Sequence, residues 1–135
     1  MNPYQYTYAC SDRLYADYLK HGNLIIAIDF DDTVFDYKEN GHTFEEIIEL
    51  IKQAQDQNHI LVMYSACKKE RFPFIIDHMR KLGIEVAAVN ANPFSMEYGN
   101  DGKIYYNILL DDKAGLGQAM MILRTTLNRI RDATL

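Results

Sequence analysis

Acidic side chains crowd into one short stretch of the sequence. Asp29, Asp31 and Asp32 are followed by Thr33, and all of them come directly after the apolar run at residues 24–28. Carboxylates this close to one another repel unless a cation lies among them. The apolar run is rich in Ile, which is typical of a strand buried on both faces of a parallel sheet. The stretch therefore predicts a metal site where a buried strand ends.

Two other apolar runs also end in polar side chains. Ser65 follows the run at residues 60–64, and Asp111 and Asp112 follow the run at residues 104–110. Open α/β sheets bind ligands at the carboxyl ends of their strands, which lie along one edge of the sheet. We therefore expect these side chains to converge on Asp29. Mg²⁺ prefers oxygen ligands, and Asp29 and Asp111 are suited to supply two of them.

The elements that must position these side chains alternate along the chain. Apolar runs predict strands, and apolar residues at helical spacing predict the segments that follow them as helices. Strands separated by helices imply right-handed crossovers and a parallel sheet. We therefore predict an α/β fold, a three-layer α/β/α sandwich with a Rossmann-like parallel sheet whose central strand is residues 24–29. The other predicted strands are residues 60–64, 84–89 and 104–110.

Local signals also predict where the helices begin and end. Ser11 is suited to cap a first helix that Gly22 closes, with residues 1–10 poorly ordered before it. Thr43 and Glu46 have the spacing of a capping box at the start of the next helix. The remaining signals are Pro73 in a first helical turn, Gly83 at a helix C-terminus, and a last helix over residues 116–131.

Length and charge narrow the range of functions. The chain has 135 residues, enough for one domain with an N-terminal helical extension (1–22) and a core (23–135). The net charge of −5 makes nucleic acid an unlikely partner and argues against an anionic membrane surface. No apolar run approaches the ~20 residues of a membrane span. With two cysteines and no recognisable signal peptide, we expect a cytoplasmic protein.

Taken together, the polar strand ends resemble the motifs of the haloacid dehalogenase (HAD) superfamily of phosphohydrolases. DFDDTV is similar to its first motif, an apolar strand followed by D-x-D-x-T/V. Ser65 is similar to the second motif, and LLDD to the paired-acid form of the fourth. The motifs occur in the family's order, and the resemblance spans about residues 24–123. VNANP and KIYYNILLDDKAG resemble small, cap-less bacterial or phage-type members.

The resemblance implies a Mg²⁺-dependent phosphohydrolase and a role for each residue. Asp29 would attack phosphorus and form an aspartyl-phosphate. Asp31 would protonate the leaving oxygen and later activate water. Thr33 and Ser65 would bind phosphoryl oxygens. The implied metal ligands are Asp29, Asp31 through its backbone carbonyl, Asp111, and Asp112 through water or as an orienting group.

One departure from the family pattern concerns Asp32. Many members have Gly at this position, so the sequence adds a negative charge close to the site. Two orientations are open. If the side chain faces away, it can cap the following turn, and if it faces the site, it should weaken phosphate binding.

A second departure concerns the lysine of the third motif. Lys103 is the nearest match, but it lies eight residues before Asp111. A straight strand of that length would place it about 26 Å from the acids. It can contact phosphate only if the chain bends between Lys103 and Tyr106. Lys68 and Lys113 are the alternatives.

The connections are too short for a cap domain. Residues 35–42 and the predicted loop at residues 90–102 leave the site open, which suits an extended substrate or a homo-oligomer whose neighbour covers it. Arg71 and the lysines before it form either a solvated helix start or an anion-attracting rim. A phosphorylated substrate, such as a nucleotide or sugar phosphate, is the expected partner. The alternative functions are a catalytically impaired, HAD-like phosphate-binding or regulatory protein, and a phosphotransferase.

Overall fold

A parallel sheet forms the centre of the computed structural model, which describes residues 2–97 and 102–134. The strands are β1 (Ile25–Ile28), β2 (Ile60–Met63), β3 (Ala88–Val89) and β4 (Ile108–Leu110). All pairs are parallel, in the order β3-β2-β1-β4. The predicted α/β fold is confirmed, and β1 lies between β2 and β4 as predicted. Ile28 pairs with both Met63 and Leu110, so these three strands end level with one another.

Helices pack against one face of this sheet. Alternate residues of a strand point to opposite faces, so each face of the sheet has its own set of side chains. Leu24, Ile26 and Ile28 belong to the larger apolar cluster. This cluster also contains buried side chains from each of the helices α1 (Thr7–His21), α2 (Glu45–Asp56), α3 (Phe72–Lys81) and α4 (Leu116–Ala133). On the opposite face, Ile25 and Val62 pack with residues of the connection between β3 and β4. That connection therefore forms the second outer layer of the sandwich.

The last two strands are shorter than predicted. Ile84 does not begin β3, because its N–H donates to the carbonyl of Met79 and closes the end of α3 instead. Ile104 precedes β4 and is buried on the second face of the sheet, where the chain crosses to the far side of β1. The chain therefore bends before β4, as the Lys103 assignment required. Residues 98–101 of the predicted loop lie outside the described residues.

Two predicted helix starts are wrong. Ser11 does not cap α1 but is buried within it, because the helix begins at Thr7 after a 3₁₀ turn at Pro3–Gln5. The expectation of poor order before residue 11 is therefore also wrong for residues 2–10. No capping box forms at Thr43, because α2 begins at Glu45 and its N-cap makes no side-chain hydrogen bond.

The predicted helix ends are confirmed. Gly22 closes α1 in the left-handed conformation, with φ of 82°, and its N–H donates to the carbonyl of Tyr18. Gly83 follows α3 in the same conformation, with φ of 85°. Pro73 lies in the first turn of α3, where its missing N–H costs no hydrogen bond. Within residues 2–97 and 102–134, no helix is both long and apolar enough to cross a membrane.

Candidate active site

Three carboxylates meet at the carboxyl edge of the sheet. Asp29 follows β1, while Asp111 and Asp112 follow β4, and one oxygen from each lies within 4.8 Å of the others. The N–H of Asp29 donates to the carbonyl of Leu110 at 2.9 Å, which extends the pairing of β1 and β4 by one residue. This backbone contact brings Asp29 close to Asp111 and Asp112. The three acids therefore converge, as predicted from the sequence.

Thr33 lies beneath the acids and connects two of them. Its hydroxyl is 3.1 Å from both a carboxylate oxygen of Asp29 and one of Asp112, and it accepts the N–H of Asp112 at 3.0 Å. Thr33 is fully buried, and its own N–H donates to the carbonyl of Phe30. The predicted contact from Thr33 to a phosphoryl oxygen is therefore not supported, because both of its donors are used within the protein.

The acids are not equally ionised. Burial, a hydrogen bond with Asp112 and the charge of Asp111 raise the pKa of Asp29 from 3.8 to about 7. Burial also opposes ionisation of Asp112, but hydrogen bonds with Asp29 and Thr33 outweigh it and lower the pKa of that carboxyl. The shared proton therefore belongs on Asp29.

This donor set fits a hard divalent cation such as Mg²⁺. The cluster offers carboxylate oxygens alone, and the charge of Asp111 helps to raise the pKa of Asp29, which indicates a position where positive charge would be stabilised. Asp29, Asp111 and Asp112 are the side chains that would hold the ion. Asp31 was predicted to bind the ion through its backbone carbonyl. Its side chain is not part of the cluster formed by Asp29, Asp111 and Asp112.

The side chain of Asp31 forms an ion pair with Arg71. Two nitrogens of the guanidinium donate to the two carboxylate oxygens at 2.5 and 2.7 Å. The pairing raises the pKa of Arg71. Asp31 also lines the cavity above the acids. The sequence predicts Arg71 only as part of a solvated helix start or of an anion-attracting rim. Nothing in the sequence indicates that it pairs with Asp31, 40 residues away.

Asp32 occupies a position that favours glycine. Its φ is 58°, in the left-handed region, which Gly adopts more readily than Asp. One carboxylate oxygen accepts the N–H of Lys38 at 3.3 Å, and the ammonium group of Lys38 lies 3.9 Å from the other. The side chain therefore caps the following turn, but Asp32 also lines the cavity above the acids, so it does not face away from the site.

Asn90 orients Ser65 at the end of β2. The amide of Asn90 accepts the N–H of Ser65 and donates to its carbonyl, both at 2.8 Å. Asn90 follows β3 with φ of 54°, so the pair also connects the ends of β2 and β3. Asn90 has no role predicted from the sequence, although its place directly after a predicted strand is a usable signal.

A cavity of about 590 Å³ lies over the three acids. Ser65 and Lys113 line it, together with Lys38 and Tyr37 from the loop after β1. Neither Lys103 nor Lys68 belongs to its wall among the described residues. The ammonium group of Lys103 instead lies 5.9 Å from the ring centroid of Tyr106. Lys113, the alternative, does line the cavity, and the identity of the phosphate-binding lysine stays a prediction.

Comparison with known proteins supports the fold of this chain but does not indicate its function. No protein-family model matches the chain, and no curated protein matches it. A solved structure, "Structure of the conserved protein coded by locus from Bacteroides thetaiotaomicron", is similar with a TM-score of 0.62. It shares 24% sequence identity, and the similarity covers 76% of this chain and 91% of that one. The likeness supports the α/β fold, and membership of the HAD superfamily stays a prediction.

The shared proton predicts how stability depends on pH when no metal is bound. Because the pKa of Asp29 is raised from 3.8 to about 7, folding is favoured at low pH and loses this contribution as pH rises through 7. Asp29→Asn keeps a donor toward Asp112 without the titration. With a chelator present at pH 8, we expect this variant to be more stable than the wild type by about 2 kcal/mol, allowing for solvent screening.

Urea unfolding from pH 4 to pH 8 measures this effect. The wild type should lose stability across the range, while the curve of Asp29→Asn should be flatter. Equal slopes for the two proteins would contradict the raised pKa. Asp77→Asn is the matched control, since Asp77 is exposed on α3 and pairs with Lys81 at 3.1 Å.

Proposed function

We propose that the chain is a Mg²⁺-dependent phosphohydrolase, a phosphomonoesterase that forms an aspartyl-phosphate on Asp29. The observation that carries this proposal is the clustering of Asp29, Asp111 and Asp112 at the carboxyl edge of a parallel sheet, beneath an open cavity. Together with the resemblance of its motifs to the HAD superfamily, this cluster favours phosphoryl transfer over a structural role for the acids.

The reaction would begin with Asp29 as the nucleophile. Mg²⁺, when bound, would neutralise charge on the carboxylates and the phosphoryl group, the main demand of phosphoryl transfer. Asp29 must then be ionised, so the proton it otherwise shares with Asp112 must leave. An oxygen of Asp29 would attack phosphorus, and the bond to the leaving oxygen would break as Asp31 donates a proton to it.

The second half of the reaction would release phosphate. Asp31, now ionised, would take a proton from water as that water attacks the phosphorus bound to Asp29. Ser65 and Lys113 line the cavity and are suited to contact the phosphoryl oxygens in both halves. Asn90 would keep Ser65 in place through its two hydrogen bonds.

Phosphate release from a panel of phosphomonoesters tests the proposal. The panel should include nucleotides, sugar phosphates and aryl phosphates, with Mg²⁺ or with a chelator. We expect release by the purified protein with Mg²⁺ only. The absence of release from every substrate would contradict a hydrolase, and transfer to an alcohol in place of water would identify a phosphotransferase.

A catalytically impaired, phosphate-binding or regulatory protein is the second candidate function. Asp32 and the lysines favour it, because Asp32 adds a negative charge to the cavity wall and neither Lys103 nor Lys68 belongs to that wall among the described residues. Under this alternative, phosphate with Mg²⁺ would raise the midpoint of thermal unfolding, yet no ester in the panel would be hydrolysed.

We also propose a cellular setting for the protein. Cys10 and Cys67 are both free thiols, which fits the reducing cytoplasm that we propose for the protein. The open cavity also suits a homo-oligomer in which a neighbouring copy covers the site.

A further inference from the structure

We propose that Arg71 is a positioning residue that holds the carboxylate of Asp31 at the cavity wall for proton transfer to the leaving group. The inference rests on the proposed function and adds a residue that the resemblance to the HAD superfamily does not supply. It starts from the two hydrogen bonds between these side chains.

The ion pair fixes the plane of the carboxylate as well as its position. Both oxygens of Asp31 accept from Arg71, each from a different nitrogen of the guanidinium, and each keeps a second lone pair that can carry the proton for the leaving group. A bidentate contact of this kind removes rotation about the last side-chain bond, which a single hydrogen bond would allow. Both side chains are partly buried, at 27% exposure for Arg71 and 22% for Asp31, so water competes less for this pair than for an exposed one.

Aromatic rings hold the guanidinium in turn. Its central carbon lies 5.4 Å from the ring centroid of Phe30 and 5.4 Å from that of Tyr37. Phe35 and Phe74 lie slightly farther away, at 6.0 and 5.8 Å. Phe30 is fully buried and stacks on Phe35, so this side of Arg71 packs against the core. These rings therefore hold the guanidinium in place independently of its ion pair with Asp31.

The pair also connects two separate elements of the site. Asp31 belongs to the loop after β1, which carries the nucleophile, whereas Arg71 ends the 3₁₀ turn Lys69–Arg71 that leads into α3. Lys68 and Lys69 lie in the same segment but lack the planar fork that contacts both carboxylate oxygens. Arg71 does not line the cavity itself, so it would act through Asp31 and not on the substrate.

Substrates with different leaving groups separate this role from general damage. An alkoxide leaves only when it is protonated, whereas p-nitrophenolate leaves readily without an acid. The ratio kcat/KM reports the steps up to release of the leaving group, in which Asp31 would donate its proton. A displaced Asp31 should therefore slow alkyl phosphates more than p-nitrophenyl phosphate.

The test is kcat/KM of Arg71→Ala for an alkyl phosphate that the wild type hydrolyses and for p-nitrophenyl phosphate, with saturating Mg²⁺. We expect a loss of about 30-fold for the alkyl ester and less than about 3-fold for the aryl ester. Arg71→Lys should restore only part of the loss, because it keeps the charge without the fork. Equal losses for both esters, no loss, or a gain in activity would each overturn the proposal.

A matched control is available between α1 and α4, outside the cavity wall. Arg129 pairs with Asp12 at 3.2 Å and lies 3.9 Å from the ring centroid of Tyr15, so it makes the same kinds of contact away from the cavity. Arg129→Ala should leave both kcat/KM values unchanged. Failure of the wild type to hydrolyse either ester would overturn the proposed function, and the role of Arg71 with it. A wild type that hydrolyses both, with uniform losses in Arg71→Ala, would overturn the positioning role alone.

Discussion

Asp29→Asn is expected to lower phosphate release by roughly 10⁴-fold, because the amide cannot form the covalent intermediate. The substitution preserves the size of the side chain and a donor toward Asp112, so the fold should be retained. Initial rates on the best substrate from the ester panel, with saturating Mg²⁺, measure the loss. Activity within about 10-fold of the wild type would contradict nucleophilic attack by Asp29.

The control for this variant must change a carboxylate outside the site. Asp77→Asn removes an exposed carboxylate from α3 and is expected to retain full activity. The control also shows whether the loss in Asp29→Asn comes from the reaction or from net charge, since both variants remove one negative charge. A comparable loss in both proteins would remove the support for Asp29.

Mg²⁺ is expected to raise the midpoint of thermal unfolding of the wild type and not that of Asp111→Ala. A ligand at 100 times its Kd adds about 2.7 kcal/mol of stability, which shifts the midpoint of a domain of this size by several degrees. Asp111 contributes one oxygen to the cluster and lies beside Lys113, whose N–H it accepts at 2.9 Å. Losing this oxygen should weaken binding of the ion and with it phosphate release.

Differential scanning fluorimetry with and without Mg²⁺ measures the shift at pH 8, where Asp29 is ionised. Asp36→Asn is the matched control, because Asp36 accepts backbone N–H groups of its own loop and is not part of the cluster. It should keep the Mg²⁺ response of the wild type. The same shift in Asp111→Ala as in the wild type would contradict a metal site at the three acids.

The sheet and the meeting of the acids could be predicted because both follow from local patterns. Apolar residues 24–28 could be satisfied only in the middle of a parallel sheet, and the polar residues after each strand then had to share one edge. The order of the strands followed from the need for Ser65 and Asp111 to flank Asp29. These inferences required no knowledge of how any particular side chain packs.

Other features of the site depend on packing between distant segments. The ion pair of Arg71 with Asp31 joins residues far apart in sequence, and the rings that hold Arg71 come from two separate segments, the loop after β1 and α3. Lys103 was assigned by its order in the sequence, yet the bend before β4 takes its side chain to Tyr106. Thr33 matched a motif, but a fully buried hydroxyl between two acids has no donor left for a substrate.

Direct detection of the phosphoryl group on Asp29 tests the central claim most directly. The wild type is mixed with its best phosphomonoester and Mg²⁺, quenched in acid within milliseconds, digested, and analysed by mass spectrometry. We expect a phosphoryl group on the peptide that carries Asp29, and none on the same peptide from Asp29→Asn. Burst-like release of the alcohol with the phosphoryl group on another residue, or steady hydrolysis with no labelled peptide, would contradict the aspartyl-phosphate mechanism.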